Sequence, residues 1–390
     1  MTACTGEIDD AASAVSEILG QLDIEGNLLK NSAGILTCYA EFIESGVVAE
    51  LCRALPFEIV GSTTIASAVP GARGNMLLTL VVLTSDDVSF SVGLSGPLSS
   101  SGDESPLKEG YDAAVAKAGR PPSLMLSFAP LIMDVSCDFL VEALTRISGG
   151  VPNFGMVSVD HNRDYGESQV VFCGQAYADR YALLLVAGDI SPNFYTSSIS
   201  VERVFREKCQ VTASKGNLIQ MVDGMPVSDY LRKTIGLEVG DDGMIVGINT
   251  FSFIMDYNDG TKAVVRSVFA QTPEGYAVCG GDIPEGVTMS VGSIDADGVL
   301  SSAEELISSV VEREPNPSCL LMFSCVGRYF YLGYDDMAEM EKVGRFVEGT
   351  GIPYMLAYTG GEICPVYTKE ADGAVANRSH NVTLVICALN

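Results

Sequence analysis

One order of elements recurs three times along the chain, and any fold must accommodate all three copies. An apolar strand at residues 35–39, 124–128 and 320–324 leads into a helical stretch that stops at a proline, Pro56, Pro152 or Pro353. The residue before a proline is biased away from helix, so the chain turns extended there. A short apolar run, a polar loop and a second strand follow, at residues 77–83, 181–186 and 382–388. The helices carry one apolar side, as with Phe139, Leu140, Ala143, Leu144 and Ile147, or Met337, Met340, Val343 and Val347. Such a side is buried on a sheet, which makes the fold class α/β. Because strands also arrive in neighbouring runs joined by hairpins, the expected sheets are mixed or antiparallel with flanking helices, built from three repeated strand-helix-strand-strand units.

The units leave three other stretches to place. Residues 1–30 carry Ile18, Leu19, Leu22, Leu28 and Leu29 among acidic residues and predict a peripheral helix. Residues 99–119 begin rich in Ser and Gly and become helical through Tyr111, Ala114 and Val115, and residues 199–235 end in a helix over 227–234. From 236 to 299 short alternating runs are punctuated by turns at Asn258-Asp-Gly260 and Asp297-Gly298, which reads as a strand-rich insertion. The expected organisation is a peripheral helix (1–30), a first domain (31–235) and a second (236–390).

Composition narrows the function classes. Fifty acidic residues against 23 basic ones give a formal charge of −27, with no Lys/Arg run to offset it. Binding to a phosphate backbone relies on clustered cations, so nucleic acid is excluded as a partner, and an anionic membrane surface is repelled in the same way. The N-terminus is acidic where a secretory signal needs a positive region, and no apolar run approaches the ~20 residues of a bilayer span. The chain reads as cytoplasmic. Its eleven cysteines lack a C-x-x-C pair and many sit in apolar strands, among them Cys173, Cys319 and Cys387, so they are expected to be reduced and mostly buried. Two histidines, His161 and His380, cannot build a multi-histidine metal site, no phosphate-binding glycine loop is present, and no cofactor is expected.

The last third carries three motifs in order: Cys325-Val-Gly-Arg328, Gly361-Glu362-Ile363 and His380-Asn381-Val-Thr383-Leu384. Together they resemble the FIST C domain. The loop Gly61-Ser62-Thr63-Thr64-Ile65-Ala66-Ser67 resembles the Gly-Cys-Ser-Thr-x-Gly-Glu loop of FIST N, and residues 211–230 resemble the end of that domain. The resemblance covers nearly the whole chain from about residue 31. It implies an intracellular sensory module that binds a small ligand such as an amino acid. The family also occurs fused to an F-box, which implies a signalling protein partner, but residues 1–30 carry no F-box.

Two charged residues stand out as candidate ligand contacts. Arg328 follows an apolar strand by one short turn, and a guanidinium there can hold a carboxylate by two parallel hydrogen bonds. Glu362 lies in Tyr358-Thr359-Gly360-Gly361-Glu362, where glycines permit close backbone approach and positive φ. A carboxylate on that loop can receive an ammonium, so the pair would form a two-ended clamp for a zwitterion, with Tyr358, Thr359, Gly361 and Asn381 around it. An ion pair for Arg328 and a turn role for Glu362 are the structural alternatives. The first loop has Ala66 and Ser67 where the family has Gly-Glu, which leaves Ser62, Thr63 and Thr64 as neutral contacts. In the second, Asp160 matches the acidic position within Asp160-His161-Asn-Arg163-Asp164, a cluster read as a solvated turn. An enzymatic alternative makes Cys325 a nucleophile if Arg328 and His380 stand beside it; a buried inert thiol is the other reading.

Overall fold

The computed structural model describes the chain except residues 163–164, 198, 239, 241–243, 248–249, 334 and 369–373. The first unit runs β1 (Thr2–Thr5), α1 (Ala11–Leu22), α2 (Ile24–Asn27), β2 (Asn31–Cys38), α3 (Glu41–Glu44), α4 (Val47–Ala54), β3 (Glu58–Thr63), β4 (Ser67–Val69), β5 (Ala72–Gly74) and β6 (Leu78–Ser85). The second runs β7 (Ser89–Leu94), α5 (Ser105–Ala118), β8 (Leu124–Ala129), α6 (Cys137–Ser148), β9 (Asn153–Val157), β10 (Val170–Phe172), β11 (Gln175–Tyr177) and β12 (Ala182–Ala187). The third begins with β13 (Asn193–Thr196) and is then interrupted by β14 (Val204–Lys215), β15 (Leu218–Val222), β16 (Met225–Pro226), α7 (Val227–Ile235), β17 (Phe251–Asp256), β18 (Val264–Gln271), β19 (Ala277–Cys279) and β20 (Thr288–Ser293). It resumes with α8 (Ala296–Arg313), β21 (Cys319–Cys325), α9 (Val326–Leu332), α10 (Ala338–Glu348), β22 (Tyr354–Thr359), β23 (Gly361–Tyr367), β24 (Val375–His380) and β25 (Leu384–Leu389).

In each unit the two strands flanking the proline helix are parallel and in matching register. Leu36 lies opposite Gly61, Ser127 opposite Gly155 and Phe323 opposite Ala357. The last strand of each unit, β6, β12 or β25, runs antiparallel beside the first of that pair, and β1, β7 or β13 lies outside it. The hairpin between the second and last strands does not stay at home. Hairpin β4-β5 extends the sheet of the third unit beside β22, β10-β11 extends that of the first beside β3, and β23-β24 extends that of the second beside β9. Each sheet is thus completed by another unit in a closed cycle.

Local chemistry explains where the helices begin and end. In α6 the Ser136 side chain accepts from the Asp138 N–H at 3.2 Å, and Gly149 ends the helix in the left-handed conformation at φ 70°. The faces read from the sequence are the buried ones: Leu140, Ala143 and Leu144 in α6, and Met340, Val343 and Val347 in α10. The inner faces of all three sheets meet in one central core containing Ile35, Val60, Leu126, Phe154, Phe323 and Met355, where Phe154 and Phe323 stack with centroids 5.3 Å apart. Burial of each such side chain contributes about 1.5–3 kcal/mol.

Several expectations change. The 1–30 segment is not only a peripheral helix: β1 pairs with β6, and Ala14, Ile18 and Leu22 of α1 are buried. The strand-rich insertion starts earlier than expected, at Val204 rather than 236, and it is a closed barrel in the order β14-β20-β17-β18-β19-β15, with β15 returning to β14. That barrel runs through residue 235, so the boundary expected there cuts across one body instead of separating a pair. Asp297-Gly298 is not a turn but lies at the start of α8, whose N-cap Asp295 accepts from the Gly298 N–H at 2.8 Å. Cys173 is exposed, at a turn with φ 49°, rather than buried in a strand.

Candidate functional site

The ends of the three parallel strand pairs meet. Val159 N–H donates to Thr63 O at 3.3 Å, Gly360 N–H to Val157 O at 3.0 Å and Tyr358 N–H to Ala66 O at 3.0 Å, so each loop is stitched to the others. Ala66, Asp160 and Glu362 occupy the same place in their units, three residues past the register positions Thr63, Val157 and Thr359. The side chains at this junction are spent on the fold. Thr64 donates to the Ala66 carbonyl at 2.9 Å, Ser62 and Thr63 bond the Gln169 carbonyl at 3.4 and 3.2 Å, and all three are fully buried. Asp160 is 1 % exposed and accepts from Asn162 N–H, Glu167 N–H and the Ser168 hydroxyl. Asp160 is thus the buried anchor of a turn whose His161 and Gly166 are exposed; Arg163 and Asp164 of that cluster lie outside the described residues.

Arg328 is where the expectation fails most clearly. The Cys-Val-Gly-Arg segment is helical rather than a turn, and it carries the guanidinium into the gap between α8 and α10. There Nε and Nη2 donate to Glu339 Oε1 at 2.9 and 2.5 Å, Nη2 to Val299 O at 2.9 Å and Nη1 to Ser302 Oγ at 3.2 Å. Glu339 Oε2 accepts from Ser324 Oγ at 2.8 Å. Arg328 and Glu339 are 1 % and 0 % exposed. With its donors committed to protein groups, this guanidinium cannot also receive a ligand carboxylate, and the two-ended clamp is withdrawn.

Glu362 is the second residue of strand β23, not part of a loop, and it is fully buried. Neither Gly360 nor Gly361 has positive φ; Gly360 serves close approach, since a Cβ on it would stand 2.8 Å from Ser158 O, whereas one on Gly361 would meet its nearest neighbour at an ordinary 3.4 Å. The Glu362 carboxyl accepts from Thr359 Oγ1 at 3.0 Å and Thr383 Oγ1 at 2.8 Å. Burial raises it to about 8, against the opposing pull of the two threonines and Arg328, so it is protonated at neutral pH. Burial and the neighbouring Glu362 push the Cys325 thiol far above its ordinary range, which removes the thiolate a nucleophile needs. His380 does not assist it: burial lowers the imidazole to about 3, and Nε2–H donates to Cys364 O at 3.0 Å. Tyr358 is buried edge-on to Tyr329, 5.1 Å between centroids. Asn381 binds Val265 O through its N–H, while its Oδ1 is buried without a partner beside Gly280.

Open space lies elsewhere, along the seam between the barrel and the second unit. A cleft of about 430 Å³ is lined by Asp138 and Glu142 of α6, Arg378 of β24, Tyr257 and Asp259 after β17, and Glu285 before β20. Its floor is a buried ion pair. Arg266 of β18, 0 % exposed, donates through Nη2 to Asp138 Oδ1 at 2.7 Å and through Nη1 to Ser379 O at 2.5 Å, and Asp138 Oδ2 accepts from Asp282 N–H at 2.8 Å. Burial raises the Asp138 carboxyl and Arg266 opposes it. Tyr257 lies between two guanidinium groups, Arg378 at 5.0 Å and Arg266 at 6.0 Å from its centroid. Arg378 pairs with Asp259, but its Nε–H is buried and unpartnered. A lone arginine in the alternating run Val264-Val-Arg266-Ser-Val is the one sequence signal that points here, since a cation in such a strand must be paired. The other lining residues come from segments far apart in the chain and carry no common pattern.

The fold and its junction define a mixed α/β protein of three interlocked units with a barrel set into the last. The chain belongs to the FIST family: the FIST N domain matches residues 32–225 and the FIST C domain residues 226–365. These are sensory, signal-transduction domains. The boundary between the two matches falls inside the barrel, at β16. No curated protein matches the chain. Among solved structures, a cyanuric acid hydrolase from A. caulinodans is similar over 100 % of this chain and 97 % of its own, at 9 % identity and a TM-score of 0.39, too distant to carry an argument. No helix among the described residues is long and apolar enough to cross a membrane.

Proposed function

We propose that the protein is a cytoplasmic sensory module that takes a small carboxylate-bearing ligand, an amino acid foremost, in the cleft between barrel and second unit, and reports its occupancy to a signalling protein. The observation that carries this reading is the cleft's mixed chemistry. The partly exposed Arg378 guanidinium borders the cleft and brings a positive charge to a carboxylate, while the carboxylates of Glu142 and Glu285 face the same space. The family supports the sensory role, and eleven cysteines without a disulfide among them suit a reducing compartment. The ligand straddles residues of the barrel and of the body, so its binding energy favours one arrangement of the two, which is what a reporter of occupancy requires.

Thermal-shift screening of the full chain with amino acids and organic acids tests the reading. A binder at about 100 times its Kd adds roughly 2.7 kcal/mol of stability, and Arg378→Gln removes the shift without unfolding the protein. Silence across the library, or a shift that survives Arg378→Gln, rejects the cleft and leaves a protein-binding scaffold.

A further inference from the structure

Two of the eleven cysteines, contributed by different units, meet near the surface. Cys52 lies half-buried on α4 of the first unit, and Cys173 is exposed at the tip of β10-β11, the hairpin that the second unit supplies to the first sheet. That tip rests on α4: a Cβ on Gly174 would stand 3.2 Å from Cys52 Cβ and 3.4 Å from Ala49 Cα. The Gly174 N–H points at the Cys52 sulphur, and the Cys173 thiol lies close enough for a charge on it to repel one on Cys52. The Cys173 N–H donates to Ile59 O at 2.8 Å, which pins the tip to β3. The tip is also strained. Phe172 pairs with Gln175, so Cys173 and Gly174 form a two-residue turn, with φ 49° and 84°. Positive φ at both positions is the geometry that Asn-Gly fits without strain, whereas an exposed cysteine there has little packing to offset the conformation.

We infer that Cys52 and Cys173 are a site of oxidative cross-linking, whose disulfide ties the hairpin of the second unit to α4 of the first. A sulphur that meets the N–H of residue 174 is one peptide group from Cys173, and a disulfide spans about 4–7 Å between Cα atoms, so the bond calls for rotation of the Cys173 side chain toward α4. The oxidant is a small-molecule disulfide. The Cys173 thiolate attacks one of its sulphurs and releases the other half; the Cys52 thiolate then attacks the Cys173 sulphur and releases the second half. Two protein thiols are oxidised, the small disulfide is reduced to two thiols, and the proton each cysteine gives up ends on a released thiol. Burial pushes Cys52 up to about 12 and raises Cys173 too, the latter against the pull of the Ile59 N–H and Lys117, so the exchange is slow at neutral pH and alkali speeds it. Cys38, the other cysteine beside Cys52, is fully buried and cannot meet the oxidant.

Incubation of the intact protein with oxidised glutathione in mildly alkaline buffer, followed by alkylation under denaturing conditions and mass spectrometry, tests the site. The parent is expected to lose two of its eleven titratable thiols, to retain no glutathione and to yield a peptide linked through Cys52 and Cys173. Cys52→Ser should keep one glutathione on Cys173, because the thiol that displaces it is gone. Cys173→Asn suits the turn, so it should fold with an undiminished melting temperature and lose none of its remaining thiols, which separates loss of the cross-link from loss of the fold. Glutathione retained on Cys173 in the parent as in Cys52→Ser, a bond between Cys38 and Cys52 in its place, or eleven thiols that survive the treatment overturns the inference.

Discussion

A carboxyl that keeps its proton to about pH 8 sets a pH signature for the whole protein. Glu362 is raised from 4.5 to about 8 on folding, so between those values the native state holds a proton that the unfolded chain has released. Stability from this group is present at low pH and is lost as pH rises through that window. His380 slopes the other way: lowered from 6.5 to about 3, it takes up a proton on unfolding, and its stability is lost as pH falls from 6.5. The two nearly cancel between about 4.5 and 6.5, which leaves Glu362 dominant above. Glu362→Gln is expected to be more stable than the parent at pH 8 by on the order of 3–5 kcal/mol relative to their difference at pH 5. Urea unfolding at both pH values measures this, and a difference independent of pH would mean an ordinary carboxylate. Arg328→Met strands the Glu339 carboxylate in the core and should cost about 3–5 kcal/mol, whereas Arg328→Met with Glu339→Leu should recover most of it. A double variant no better than the single would show that the pair acts independently. Sequence singled out Arg328 and Glu362 as ligand contacts, whereas the structure gives both to protein partners. Their roles were not legible, since the partner Glu339 lies on a helix face that periodicity marks only as polar.

At the level of elements, the prolines and the apolar helix faces were enough to read where each parallel pair begins. Elements whose partners lie outside their own unit were read less well. Gly361 and Glu362 looked like part of a glycine loop because their strand partners, Val157 and Met156, belong to the second unit. The same reasoning hides the tightest contacts of the sheets. A Cβ on Gly61 would stand 1.8 Å from Leu36 O, and one on Gly155 2.0 Å from Ser127 O, so at both equivalent positions the neighbouring backbone occupies the space. Gly155→Ala should push β8 and β9 apart and cost about 1–3 kcal/mol, seen as a lower denaturation midpoint. An unchanged midpoint would show that the sheet relaxes freely.

For the whole molecule, the threefold recurrence was legible but the cyclic exchange of hairpins was not, because the partner of a hairpin edge is chosen by long-range geometry that no local pattern records. The barrel was visible only as alternation, its closure depending on the single pairing of β14 with β15. The exchange makes the units mutually dependent, with the sheet of each finished by a loan from the next. It also brings the ends of the polypeptide near each other. The Met1 ammonium lies close enough to the Cys319 thiol to interact with it, and Cys319 pairs with Leu389, the last residue of β25. Residues 1 and 389 thus approach the same strand, β21, and the cycle of units has no structural first or last member. A circular permutant that joins the ends by a short linker and opens between β6 and β7, at residues 86–88, should refold to the same near- and far-UV circular dichroism as the parent. Failure to do so would mean that the connection between β6 and β7, and not only the closed geometry, is needed by the fold.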